Sequence, residues 1–206
     1  MQITWHGLSC FEVSTKTSVG EVSFVIDPFS ASTGLKLTKG LAPELALISH
    51  EGGDASATSL LESKPFIVRS PGEYEVKGIF VYAVAIAHGI GFRIETESMR
   101  FMHLGALSRA LTNAEIEALG SADILCVPVG GGRVLSPETA AEVVAQLEPR
   151  VIIPMMYATE GVKESLKPLE EFTRLMGTSA RVDVAKYKLA KKDLPEEGTA
   201  LVVLSV

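Results

Sequence analysis

The two halves of the chain are punctuated differently, and that difference constrains the fold more than any other feature. Through Arg100-Phe101-Met102 the sequence falls into short β-branched and aromatic runs bounded by Gly, Pro or polar residues. These are Ile3-Thr4-Trp5, Cys10-Phe11-Glu12-Val13, Glu21–Ile26, Leu45–Ile48, Phe66-Ile67-Val68, Glu73–Val76, Ile79–Val84 and Gly91–Ile94. Leu45-Ala46-Leu47-Ile48 is uninterrupted and apolar, as a strand covered on both faces requires. Pro71-Gly72 and Lys77-Gly78 mark turns.

The second half alternates. Thr112 to Leu119 is predicted as a short helix, with Thr112 as N-cap and Glu115 completing a capping box. Asp123 to Val129 reads as a strand. Ser136-Pro137-Glu138 opens the clearest helix, with a capping hydroxyl, a proline in the first turn and a carboxylate at the positive dipole end. It runs to Leu147 and Pro149 stops it. Val151 to Pro154 is a strand, Val162 to Met176 a helix ended by Gly177, and strands over Val182–Tyr187 and Ala200–Val206 close the chain. Strands first and βαβα afterwards predict an α/β fold of two sheets with helices outside. No linker, repeat or low-complexity segment divides the sequence, so one domain over residues 1–206 is expected.

Composition excludes several function classes. The net charge of −6 argues against a broad nucleic-acid or anionic-membrane footprint. No run approaches the length of a membrane span, and Met-Gln-Ile-Thr-Trp-His lacks the basic and apolar regions of a signal peptide. Cys10 and Cys126 sit in apolar runs and read as buried reduced thiols, so the cytoplasm is the expected compartment. Four histidines and two cysteines exclude a site of five imidazoles, a four-thiolate zinc site and a disulfide scaffold.

Ser49-His50-Glu51-Gly52-Gly53-Asp54-Ala55 follows a buried strand, where ligands collect in α/β folds. His50 and Asp54 can face one ion there. Equally, they can form a turn and cap a helix that starts near Ala57. Gly130-Gly131-Gly132 lacks the lysine and spacing of a P-loop and reads as a flexible loop. Lys186, Lys188, Lys191 and Lys192 read as a solvated face. Ser9 has no His and Asp partner set for nucleophilic catalysis.

Six ordered segments carry a resemblance to a known family. His6-Gly7-Leu8-Ser9-Cys10-Phe11, Ile26-Asp27-Pro28-Phe29, Pro71-Gly72-Glu73-Tyr74-Glu75-Val76, His103-Leu104-Gly105, Val127-Pro128-Val129-Gly130-Gly131 and Ile153-Pro154-Met155-Met156-Tyr157 span the chain. Together they resemble the metallo-β-lactamase superfamily, in its branch of compact hydrolases similar to ascorbate-phosphate lactonases. The resemblance implies an αββα sandwich of two mixed β-sheets flanked by helices. It also implies a dinuclear metal site built on HxHxDH, a later His, an Asp in the GD turn and the His of IPMHY, where a bridging hydroxide attacks substrate.

Carried over by position, His50 matches the first His, Asp54 the Asp and His88 the third-motif His. Gly52, Ala55, Ala106 and Met156 stand at the other four places. Gly and Ala offer no donor, and a thioether is a poor ligand for Zn²⁺ or Mn²⁺. The metal residues to expect are therefore His50, Asp54 and His88, with no catalytic or cofactor-binding residue. No cofactor is expected, or at most one weakly bound Zn or Mn ion. In the resemblance His6 lies beside the cleft and His103 is structural. Asp27 fixes its loop or orients His50. The function so implied is that of an eroded, non-catalytic member that binds a small-molecule ligand or a protein partner, or forms a homo-oligomer. The alternative is a metal-dependent hydrolase of an ester, lactone or phosphodiester with a reduced single-metal site.

Overall fold

The short apolar runs pair into two sheets. In the computed structural model, which describes residues 1–177 and 181–206, β1 (Gln2–Gly7), β2 (Cys10–Thr17) and β3 (Gly20–Ile26) form an antiparallel meander. Two three-residue strands, β4 (Leu45–Leu47) and β5 (Phe66–Val68), extend it in parallel. A second meander follows in β6 (Gly72–Val76), β7 (Ile79–Ile86), β8 (Gly89–Thr96) and β9 (Met99–His103). Then come α1 (Asn113–Leu119), β10 (Ile124–Pro128), α2 (Pro137–Leu147), β11 (Val151–Met155) and α3 (Leu169–Met176). The chain ends in β12 (Arg181–Val184), β13 (Lys186–Lys188) and β14 (Ala200–Leu204). The sheet orders are β13-β1-β2-β3-β4-β5 and β12-β14-β11-β10-β9-β8-β7-β6. Both are mixed, and α1 packs on β7 and β8 while α2 packs on β10 and α3. This is the αββα arrangement.

The core lies between the sheets. Phe24 of β3 meets Phe101 of β9 edge-on at 6.2 Å, and Phe11 of β2 meets the His103 ring at 5.7 Å. Trp5 sits between Phe11 and Tyr157. The caps form as their residues dictate. Thr112 Oγ1 accepts the Glu115 amide while the Glu115 carboxylate accepts the Thr112 amide, and Ser136 Oγ accepts the Thr139 amide. Cys10 and Cys126 are free and buried, and burial pushes both thiols up. Among the described residues no helix is long and apolar enough to cross a membrane.

Three local expectations are corrected. The helix expected from Val162 begins only at Leu169, because Pro168 biases Lys167 away from the helical region. The residues before it are tied elsewhere: Lys167 donates to Gly130 O at 2.7 Å, and Lys163 to Thr33 O at 2.9 Å. The strand expected over Val182–Tyr187 is two strands in different sheets, with the chain crossing at Ala185. The helix expected near Ala57 is a single 3-10 turn, Thr58–Leu60, without a side-chain cap, so Asp54 does not cap it.

A candidate active-site cleft

Parallel strands from both sheets end on one rim. β3 and β4 deliver Asp27, Ser49 and His50, while β9, β10 and β11 deliver Ala106, the Gly130–Arg133 loop and Met156. Two adjoining hollows of about 500 and 380 Å³ open there, sharing His50, Glu51 and Arg133. Ligand sites of α/β sheets occupy this place.

The floor is a buried polar chain. Asp27, directly after β3, has φ +48° and is fully buried. Its Oδ1 accepts the Ser49 amide at 2.7 Å and its Oδ2 the Ser49 hydroxyl at 2.6 Å. Ser49 Oγ lies 2.8 Å from His50 Nδ1, and His50 Nε2 lies 2.9 Å from Asp54 Oδ2. Asp27 therefore both fixes the loop and orients His50 through Ser49. Burial raises the Asp27 carboxyl to about 6 against the opposing pull of His50 and Ser49. Burial pushes His50 down, but the hydrogen bond it donates to Asp54 and the charges of Asp27 and Asp54 outweigh it, so its pKa is raised. Asp54 is held near 2: burial opposes this, and the His50 hydrogen bond and charge, with Arg133, prevail.

Arg133 and Glu164 complete the network, and neither was singled out by the sequence. The Arg133 guanidinium bonds to Asp54 Oδ2 and to Glu164, at 2.6 Å from Nε to Oε1. The signal was available: an arginine directly after a triple glycine at the carboxyl end of a strand.

The histidines divide as follows. His103 is fully buried. Its Nε2 contacts Ser9 O at 2.9 Å and its Nδ1 accepts the Gly105 amide at 3.1 Å, so it is neutral with Nε2–H donating. Burial pushes it down to about 3. His6 is buried, with Nδ1 3.0 Å from Thr38 Oγ1. His88 sits exposed at the β7–β8 turn, where Ile86 pairs with Gly89 and leaves only two residues to reverse the chain. It borders the same hollow as His50 and Ala106.

The profile of the Beta-lactamase superfamily domain matches residues 2–156, three quarters of the sequence. The chain belongs to the metallo-β-lactamase superfamily. A Thermotoga maritima protein described as a candidate Zn-dependent hydrolase of this superfamily is 31% identical, with TM-score 0.84 over 100% of both chains. A UPF0173 metal-dependent hydrolase of Thermococcus onnurineus is 27% identical over 90% of this chain and 96% of its own. One of Thermoplasma acidophilum is 25% identical over 86% and 92%.

These superfamily relatives correct the expectation that no cofactor, or at most one weakly held ion, is involved: their names attach a metal to proteins related to this chain along most of its length. The side chains as arranged do not make a ligand set. Among the described residues no three His, Cys, Asp or Glu come together around one point. His50 and Asp54 face each other, Arg133 covers Asp54, and His88 stands apart at its turn. At the four replaced positions, Ala55 and Met156 are fully buried, Gly52 is exposed with φ +149°, and Ala106 lines the hollow.

Proposed function

We propose that the cleft over His50 binds a small ester, lactone or phosphodiester, and that the protein acts on it as a metal-dependent hydrolase. The observation that supports this reading best is the convergence of strand ends from both sheets on His50, in a chain whose relatives are named metal-dependent hydrolases. The two hollows have the size of small-molecule sites. Asp27, Ser49 and Asp54 fix the His50 ring at both nitrogens, as a preorganised site requires.

A second reading, binding without turnover, has its own support. Arg133 places a fixed positive charge against Asp54, and Ala106 and Met156 supply no ligand atom suited to a hard metal ion. One experiment separates the two. The native chain and His50→Ala are assayed on nitrophenyl esters, bis-nitrophenyl phosphate and lactones, with added Zn²⁺ or Mn²⁺ and after chelation. Turnover that chelation and His50→Ala both abolish is the expected result. Saturable binding without product supports the second reading. The absence of both turnover and binding overturns the assignment of the cleft.

A further inference from the structure

The two sheets finish side by side, so each lateral edge of the sandwich presents one terminal strand from each sheet. β5 and β6 form one edge, and β12 and β13 the other. Their sequences are complementary. On β6, Glu73 and Glu75 are exposed and flank Tyr74, which packs inward. On β13, Lys186 and Lys188 are exposed and flank Tyr187, which also packs inward. Among the described residues each strand hydrogen-bonds to one neighbouring strand only, β7 or β1.

We propose that these edges bind each other between copies of this chain, β6 of one copy pairing antiparallel with β13 of the next. With Tyr74 opposite Tyr187, Glu73 faces Lys188 and Glu75 faces Lys186. Directly opposed residues share a face of a sheet, so all four charges lie on the solvent side and both tyrosines on the core side. Pairing either strand with itself in the tyrosine-centred register sets Glu against Glu, or Lys against Lys, which is destabilising. The contact is therefore head-to-tail, and it builds open chains or closed rings rather than a two-fold dimer. The same arrangement turns β5, with Phe66 and Ile67 51% and 36% exposed, toward the partner copy's edge that carries β12, where Val182 is 40% exposed. Apolar side chains thus accompany the charge match. The alternative is that the lysines keep the edge strand free of any partner, a common protection.

The test is sedimentation of the full chain across a concentration series, in low and in high salt. Weight-average mass is expected to climb above the monomer value with concentration in low salt and to fall back in high salt, because the pairs are exposed. Glu73→Lys/Glu75→Lys and Lys186→Glu/Lys188→Glu change exposed side chains, and the first also takes the Glu75 carboxylate from the Gly78 amide in the β6–β7 turn. Each variant alone is expected to associate at least tenfold more weakly than the native chain, with an unchanged circular-dichroism spectrum. Mixed in equal amounts they are expected to reassemble, since each supplies the charge the other has lost. A native chain that stays monomeric throughout overturns the proposal. So do variants that associate like the native chain, or a mixture that stays monomeric.

Discussion

His103 and Asp27 are both fully buried beneath the cleft, and their titrations oppose each other. His103 falls from an ordinary 6.5 to about 3 on folding, so the unfolded chain binds the extra proton and stability is lost as pH falls below 6.5. Asp27 rises from 3.8 to about 6, so the folded chain binds the extra proton and stability is lost as pH rises toward 6. Between pH 4 and 6 the two slopes offset. Glu115, held near 2 chiefly by its hydrogen bond from Arg109, adds acid lability of its own, so the expected effects are relative to the native chain: from pH 6 to 4 the urea midpoint falls more steeply in Asp27→Asn and less steeply in His103→Gln. Each slope is at most about 1.4 kcal/mol per pH unit. Restoring ligands at the four replaced positions meets a backbone obstacle. A Cβ on Gly52, at φ +149°, approaches Asp54 Oδ1 to 2.7 Å, and Ala55 is fully buried. Gly52→His alone is expected to destabilise the chain by about 1 kcal/mol or more, read from the melting temperature. The combined change Gly52→His, Ala55→His, Ala106→Asp and Met156→His is expected to raise Zn²⁺ affinity at least tenfold in calorimetry, provided the 50–55 loop moves. His50 and Asp54 were legible from spacing. Arg133 was marked only by its place after a triple glycine, and its pairing was not legible, because its partners lie 79 and 31 residues away.

Elements with local stop and start signals were legible, and elements decided by distant contacts were not. Ser136 and Pro137 define the start of α2 through their own chemistry, and the helix buries Ala140, Val143, Val144 and Leu147. Ser136→Ala is expected to lower stability by about 1 kcal/mol, seen as a shift in urea midpoint at constant slope. The late start of α3 follows from Pro168, a local signal passed over, but the path of the chain before it depends on Gly130 and Thr33, which take the amides of Lys167 and Lys163. The split of the last strands at Ala185 depends on β1 and β14 offering two separate edges. Periodicity reports neither. The β7–β8 turn that carries His88 is held by Glu115, whose carboxylate takes the Ala87 amide at 3.2 Å and a bidentate pair from Arg109. Glu115→Ala is expected to speed hydrogen exchange at the turn amides while β7 stays protected.

At the level of the whole molecule, the order of strands and helices predicted two sheets with outer helices, and the ordered motifs placed them in one superfamily. Sheet order, edge composition and the clasp across the cleft required three-dimensional pairing. We propose that residues 1–206 unfold as one domain, because Trp5, the single tryptophan, stacks with β2 on one side and the segment after β11 on the other. Its fluorescence and the far-ultraviolet circular dichroism are expected to report coincident urea transitions, and separated midpoints would count against a single unit. The crossings between the sheets have a mechanical consequence. Residues 69–71 join β5 to β6 along one flank, and Ala185 alone joins β12 to β13 along the other. A short covalent stitch on each side limits how far the sheets can hinge apart like a book or shear past one another. The rim between them carries loops instead, and there Arg133 ties the loop after β4, through Asp54, to Glu164 on the segment after β11.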